Sequence, residues 1–425
     1  MPDRSYAAAE KYILSREFFG MKLGLENITE FLRSIGQPQS DYATIHISGT
    51  NGKGSVAAML AAILQAQGYK TGLFTSPHLV SLRERVRVDG RMIPKQSVTS
   101  FVNRYRKVLS KRKLSFFELV TALALQHFSR AGVDIAVIET GLGGRLDASN
   151  VLAPELTITT DISRDHVEVL GSTIPKIAGE KAGIIKQSVP HLIGIMPPSA
   201  ERVFRRRCRH LGAPFHRLNR RDFKTYPELM KLDFSHNGLS VSGLKPALPG
   251  THQLRNTALV LKAVSVLRER GRRISKRAMV EGIAATVWPG RFQIVRDGRG
   301  PIHVLDVSHN AAGVACFVET FRLLYPGKKA RIITGFVKRK EHQRMFNDLS
   351  RIADSYALVP LRTGRSTDID DLAASIDWRG IQPEKYRTLK TAHKKVVNRC
   401  RDDDVVVIIG SHYLVGEFIS TFGTQ

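Results

Sequence analysis

Short β-branched runs alternate with longer stretches of helical periodicity over the first half of the chain. Ala43–Ile47, Ile135–Glu139 and Leu156–Thr160 read as strands, and Ser55–Gln67, Gln96–Leu109 and Phe116–Ser129 as the helices among them. That alternation predicts a largely parallel sheet covered by helices. From about residue 190 to 245 the pattern changes. Short runs at Phe223–Tyr226, Lys231–Phe234 and Leu239–Val241 predict a β-rich flap or edge extension, followed by a helix from Gln253 to Arg268. A Trp-Pro-Gly break at 288–290 interrupts the chain. A second α/β rhythm follows, with strands at His303–Asp306, Ala330–Thr334, Ser355–Val359 and Val405–Ile409. The expectation is an α/β protein of two domains, residues 1–287 and 288–425, without internal repeats.

The strongest local signal sits where the first strand ends. Ile45-His46-Ile47-Ser48 runs into Gly49-Thr50-Asn51-Gly52-Lys53-Gly54-Ser55, and a helix follows. Glycines let backbone N–H groups wrap a phosphate without interference from Cβ atoms. A helix N-terminus adds partial positive charge. Lys53 would bring a full charge to the outer phosphates, and Ser55 a hydroxyl for Mg²⁺. Gly54 stands between Lys53 and Ser55, so the spacing departs from the usual phosphate-loop form.

Two other strand ends carry candidate chemistry. Glu139 closes the strand from Asp134 and precedes a Thr-Gly-Leu-Gly-Gly-Arg-Leu-Asp run, where open α/β sheets bind ligands. It can ligate Mg²⁺. His166 lies just past the next strand, in Asp161-Ile162-Ser163-Arg164-Asp165-His166, and is a second metal candidate. Lys181 falls in a predicted helix among small and apolar residues. A buried lysine with a depressed pKa can attack CO₂ and become an anionic carbamate.

Composition narrows the class. Of the 425 residues, 42% are apolar and 24% charged, as in an ordinary globular protein. No run approaches the length of a membrane-spanning helix, and the mixed N-terminus lacks a signal peptide's apolar centre, so a cytoplasmic location is expected. Cys208, Cys316 and Cys400 are too few and too widely spaced for a disulfide framework or a zinc site. The net charge of +27 is unusual. Its basic residues, at 205–210, 217–224, 268–277 and 394–400, are scattered and not interleaved with aromatics. They therefore predict a solvated basic surface rather than a specific nucleic-acid site, with steering of anionic substrates such as ATP, glutamate and polyglutamyl tails as a second reading and weak nonspecific RNA affinity as a third.

Taken together, Gly49–Ser55, Thr75–Leu79 (TSPHL), Phe117–Glu118 with Thr121, Glu139–Asn150 (ETGLGGRLDASN), Asp165–Gly171, Glu180–Lys186, Pro289–Phe292, Leu305–Asn310 and Gly410–Glu417 resemble the folylpolyglutamate synthase/dihydrofolate synthase family, within the wider Mur ligase group. The matches run in family order from about residue 20 to 417. The resemblance implies an N-terminal phosphate-loop ATPase domain of Mur-ligase type, a smaller C-terminal Rossmann-like glutamate ligase domain, and a monomer. It implies ligation of L-glutamate to the carboxylate of a folate or of dihydropteroate through an acyl phosphate, with release of ADP and phosphate. The implied cofactors are ATP and Mg²⁺, with a monovalent cation as a further candidate and a carbamate on Lys181.

The residue roles it implies are specific. Gly49, Thr50, Asn51, Gly52, Lys53, Gly54, Ser55, Asn256, Arg291 and Asp306 would contact the nucleotide. Ser55, Ser76, Glu139 and His166 would surround the metal. Glu118, Asp147, Asn150 and His309 would meet the substrates, and Lys53, Lys181, Arg291 and His309 would carry the chemistry. Two departures stand out. An acid-flanked lysine turn is replaced by Lys338-Arg339-Lys340-Glu341, where Lys340 is the candidate lysine, and the usual proline after His309-Asn310 is Ala311. The competing readings are a peptidoglycan-precursor ligase, which the TSPHL and GLGGRLDASN runs disfavour, a basic phosphate-loop protein that binds nucleic acid, and an inactive homologue. Which of the two folate activities the chain has is open at this level.

Overall fold

The computed structural model describes residues 5–16, 24–112, 114–296, 298, 300–338 and 341–423. Packing divides the chain into two units: residues 1–224, 232–245 and 256–286, and residues 225–231, 246–255 and 287–425.

The first unit is built on an eight-stranded sheet. Its strands are β1 (Ala43–Ser48), β2 (Thr71–Phe74), β3 (Val86–Val88), β4 (Arg91–Met92), β5 (Ile135–Glu139), β6 (Leu156–Thr159), β7 (His191–Ile193) and β8 (Phe215–Arg217). They lie in the order β4-β3-β2-β5-β1-β6-β7-β8. All neighbours from β2 to β8 are parallel, and β3 and β4 close one edge antiparallel. Every residue of β5 is buried and only Ala43 of β1 is not; β5 is apolar up to Glu139, while β1 buries Thr44, His46 and Ser48 among its isoleucines.

Helices supply the covering layers. The Lys53–Ala66 helix is rich in Ala, Leu and Ile and is buried at ten of its positions. It packs against the Lys276–Ala284 helix, where a Cβ on Gly282 would lie 2.5 Å from the Ile63 Cα, so only glycine permits that approach. The Phe116–Ala131 helix opens with a capping box. Ser115 Oγ accepts from Glu118 N–H, while Glu118 Oε2 accepts from Ser115 N–H at 2.8 Å. Its apolar face, Phe128 included, joins Phe31, Phe74 and Phe101 in one hydrophobic core.

The stretch expected to be a β-rich flap is only partly that. β9 (Phe223–Tyr226), β10 (Lys231–His236) and β11 (Leu239–Leu244) do form a separate three-stranded sheet. Before them, however, β7 and β8 extend the main sheet, and a helix runs from Pro198 to His210. That helix buries Ala200, Phe204 and Cys208, one residue in four, and its other faces are largely charged. With so narrow an apolar stripe it read as a basic run.

The second unit holds a six-stranded sheet of β12 (Gln293–Val295), β13 (Ile302–Asp306), β14 (Ala330–Thr334), β15 (Ala353–Leu358), β16 (Glu384–Lys385) and β17 (Val405–Ile409), in the order β12-β13-β17-β14-β15-β16. All pairs are parallel except β12 with β13. Its core includes Phe346 stacked edge-on to Trp378 at 4.6 Å. Ala311 is the first residue of the Ala311–Leu324 helix, and Asn310 caps it by accepting from Gly313 N–H. A first helical position takes either alanine or proline, so the departure at 311 costs the cap nothing. Lys340 and Arg339 lie outside the described residues.

Candidate functional site

β5, β1 and β6 are neighbours at the centre of the first sheet, and their C-terminal ends coincide. Ile47 is in register with Glu139, and Ser48 with Thr159. The glycine-rich loop, Glu139 and the segment from Thr160 to Ser163 therefore leave the sheet side by side, where parallel sheets bind ligands.

The loop is held from the β6 side. Asp161 Oδ1 accepts from Thr50 N–H at 3.1 Å and from Asn51 N–H at 2.6 Å, and Asn51 Nδ2 donates to Ser163 Oγ at 3.1 Å. Thr160 Oγ1 donates to the Asn51 carbonyl at 2.6 Å. Two glycines are sterically required. Gly49 has φ +147°, and a Cβ there would lie 1.9 Å from Thr160 Oγ1; Gly52 has φ +80°, and its Cβ would lie 2.8 Å from Asn256 Oδ1. Burial pushes the Asp161 carboxyl above the ordinary carboxylate range, against the pull of the Asn51 donors and of Lys53 and Lys181. Sequence reading missed Asp161, whose only signal was a carboxylate two residues past a strand end.

Lys53 begins the helix. Its Nζ donates to the Thr50 carbonyl at 3.2 Å and stands 3.9 Å from Glu139 Oε1. Glu139 is buried, and its Oε2 accepts from Ser76 N–H at 3.1 Å, which brings the Thr75–Leu79 loop to the same strand end. Ser55 is buried in the first turn of the helix. His166 adopts a left-handed backbone at φ 49°, keeps its side chain half exposed, and pairs with Asp165 at 3.9 Å. Among the described residues no three His, Cys, Asp or Glu side chains cluster at metal-binding separation, so Glu139 and His166 belong to no such cage.

Lys181 ends the Ile174–Lys181 helix with its side chain buried, and its Nζ donates to the Gly49 carbonyl at 2.7 Å. Burial, helped by the Lys53 charge, lowers its pKa to about 7 against the opposing pull of Asp161, Asp165 and Asp147. A large fraction of the amine is therefore neutral near neutral pH.

A buried relay lies behind the loop that follows Glu139. Asp147 accepts from Leu142 N–H at 2.8 Å and Ser149 N–H at 3.0 Å. Ser149 Oγ donates to Asp147 Oδ1 and lies 2.8 Å from His46 Nε2. Burial drives the His46 pKa down to about 3, so the ring is neutral. Since the Ser149 proton is given to Asp147, His46 must donate through Nε2. That leaves Nδ1 as a buried acceptor without a hydrogen-bond partner among the described residues. The proton order runs from histidine to serine to carboxylate, opposite to that of a nucleophilic triad.

Asn150 is anchored by Nδ2 to the carbonyls of Arg145 and Gly183, at 3.0 and 3.1 Å, while its buried Oδ1 has no hydrogen-bond partner among the described residues. Glu118 Oε1, Thr121 Oγ1 and Thr140 Oγ1 are in the same condition. A Cβ on Gly141 would lie 2.4 Å from the Phe117 ring, so the start of the Phe116–Ala131 helix lies against the loop after Glu139. Buried polar atoms left unmatched are where a ligand can hydrogen-bond.

In the second unit, Asp306 at the end of β13 is buried. Its oxygens accept from Phe292 N–H and Ser308 N–H, each at 2.8 Å. Burial raises its pKa, opposed first by the Arg291 charge. His309 donates through Nδ1–H to the Val307 carbonyl at 3.0 Å, and its ring lies 5.5 Å from that of His412. Asp306 thus holds the turns that carry Arg291 and His309.

The Mur ligase middle domain matches residues 47–264, and the Mur ligase glutamate ligase domain matches residues 290–412. A dihydrofolate synthase/folylpolyglutamate synthase of Bacillus subtilis is 32% identical over 97% of this chain and 98% of its own length. Escherichia coli FolC, solved in complex with DHPP and ADP, superposes with a TM-score of 0.87 at 27% identity, covering 99% of this chain and 98% of that one. The bifunctional folylpolyglutamate synthase/dihydrofolate synthase of Yersinia pestis, solved with AMPPNP and a Mn ion, gives 0.86 at 28% identity, covering 99% of each chain.

Proposed function

The chain belongs to the folylpolyglutamate synthase/dihydrofolate synthase family of Mur ligases, and on that premise we propose that it joins L-glutamate to a folate-type carboxylate using ATP. One observation carries the reading. The glycine-rich loop, Glu139 and Asp161 leave three neighbouring strand ends together, with Lys53 3.9 Å from Glu139.

The amides of Gly52–Ser55 and the Lys53 ammonium hold the nucleotide phosphates, with Asn256 beside Gly52, while the Thr50 and Asn51 amides, taken up by Asp161, shape the loop. Glu139, Ser55, Ser76 and His166 would hold the divalent ion. The donor set fits Mg²⁺, a hard ion that binds one or two protein carboxylates and completes its shell with phosphate oxygens and water. When bound, it offsets charge repulsion between the phosphates and the incoming carboxylate. Asn150 Oδ1 and Glu118 Oε1, the unmatched acceptors, orient the substrate beside Asp147.

The substrate carboxylate takes the terminal phosphoryl group, giving an acyl phosphate and ADP. The amine of L-glutamate attacks the acyl carbon, the C–O bond to phosphate breaks, and the amine proton is lost. Lys53 and Arg291 counter the charge that develops. His309 receives the glutamate, and Asp306 keeps Arg291 and His309 in place. Lys181, with its neutral amine, reacts with CO₂ to a carbamate and releases one proton. Its remaining N–H is still able to donate to the Gly49 carbonyl, and the carbamate would supply an anionic oxygen to a divalent ion. The unit that holds residues 1–224, 232–245 and 256–286 serves as the ATP-binding domain and the one that holds 287–425 as the glutamate ligase domain; the stretches 225–231 and 246–255, expected in the first, pack with the second. The enzyme works as a cytoplasmic monomer, in keeping with its three unpaired cysteines.

The test is direct. Purified protein is incubated with ATP, Mg²⁺ and labelled glutamate, with dihydropteroate and tetrahydrofolate offered separately. Label must enter at least one of them with stoichiometric ADP; ATP hydrolysis stimulated by RNA and no label transfer would overturn the assignment.

A further inference from the structure

The Pro198–His210 helix presents Arg206, Arg207 and His210 over a groove of about 440 Å³ whose floor is Gly183, Ala182 and Gly179 and whose far wall is Arg145. Three guanidiniums and an imidazole line it and no acid does. Arg206 and Arg207 are exposed and make no ion pair with any described residue. Arg145 is held across the groove by Glu180, with Nη2 2.9 Å from Oε1. Unpaired guanidiniums gathered around a concavity attract carboxylates or phosphates. The volume is that of a small-ligand site.

The groove is tied to the substrate loop by backbone geometry. Arg145 N–H donates to the Glu180 carbonyl at 2.8 Å, and Asn150 Nδ2 bridges the carbonyls of Arg145 and Gly183. A Cβ on Gly183 would fall 2.3 Å from the Arg145 Cα, so the floor and the wall are in direct contact. The groove thus backs onto the segment that carries Asp147 and Asn150.

We propose that this groove binds the oligoglutamate tail of the folate, an inference that rests on the function proposed above. Each added glutamate brings one more carboxylate, and the lining offers three guanidiniums to meet it. The lining holds no Phe, Tyr or Trp on which bases could stack, which favours a polycarboxylate over single-stranded nucleic acid. Arg145 exchanges Glu180 for a tail carboxylate, so occupancy of the groove bears on the turn that holds Lys181.

The test uses the full-length protein and its Arg206→Ser/Arg207→Ser variant at low salt. Anisotropy of a dye-labelled penta-γ-glutamate should show binding weakened about 5- to 10-fold in the variant, the scale of two exposed charge contacts. In turnover, KM for a tetraglutamyl tetrahydrofolate should rise by a similar factor, while KM for the monoglutamyl form and both kcat values stay within about twofold. The charge-conserving Arg206→Lys/Arg207→Lys variant should retain most of the binding, which separates lost charge from a damaged fold. The proposal is overturned by unchanged pentaglutamate binding, by KM rising equally for both substrates, or by a labelled oligonucleotide losing its binding while pentaglutamate keeps its own. Should the native protein glutamylate neither folate, the ligase reading falls, and the anisotropy still decides the groove.

Discussion

Lys181 Nζ donates to the Gly49 carbonyl across 132 residues of chain, at 2.7 Å. One hydrogen bond thereby joins a buried, half-neutral amine to the first residue of the phosphate loop.

The pH dependence of stability follows from that amine. Its folded pKa is about 7, below its ordinary value of 10.5. Between those two values the unfolded chain binds more protons than the folded one, so this group makes stability rise with pH through that window and level off below it, where both states are protonated. Lys181→Met should remove that slope. Urea midpoints measured from pH 7 to 10 should rise more steeply for the native protein than for the variant; parallel curves would mean that the lysine is not buried as described. A ¹³C carbamate resonance after exposure to ¹³CO₂, absent in the same variant, would report the modification itself.

Lys53→Ala should abolish measurable turnover, at least about 10²–10³-fold, because it removes a positioned charge from the transferring phosphate. The residue is part exposed at a helix start, so the thermal midpoint should move little. Near-normal kcat in this variant would sink the phosphate role.

Asp161→Ala should free the Thr50 and Asn51 amides and let the loop drift. We expect KM for ATP to rise about tenfold, the scale of one charge-assisted hydrogen bond, with Asp161→Asn milder because it keeps one acceptor oxygen. Steady-state kinetics at saturating folate distinguish the two. Equal KM in all three proteins would show that the loop needs no such support.

Glu139→Gln keeps the shape of the side chain and removes its charge. The Mg²⁺ concentration for half-maximal activity should increase about tenfold or more, the change expected when a metal loses its carboxylate. The Lys53 pairing would also be lost, so the Mg²⁺ titration is made at saturating ATP. An unshifted midpoint would remove Glu139 from the metal site.

Much of this site was legible in the chain because its parts sit at the ends of strong elements. β5 is apolar up to its last residue and β1 alternates β-branched residues with His46 and Ser48, so Glu139 and the loop at Gly49 could be placed at strand ends by period and length. The short strands were not so readable. Thr71–Phe74 and His191–Ile193 span four and three residues, too few for an alternation to show. Asp161 escaped because its role is to accept from backbone amides 110 residues away, and no local pattern encodes such a partner. The His46–Ser149–Asp147 relay escaped for the same reason: His46 reads as one more strand residue until β1 is laid against the Ala148–Val151 turn. The domain roles and the His309 assignment came from motif resemblance, not from periodicity.

Thr160 is pinched from two directions. A methyl group on Gly49 would meet its hydroxyl at 1.9 Å, and one on Gly194 would meet its carbonyl oxygen at 2.0 Å. A residue just beyond β7, with no chemistry of its own, is consequently as unforgiving as one in the phosphate cradle. Any side chain at 194 would push the Thr160 peptide outward and, through it, dislodge the bend that begins at 49. Variation at 194 should therefore be read as a lesion of nucleotide capture rather than of the sheet.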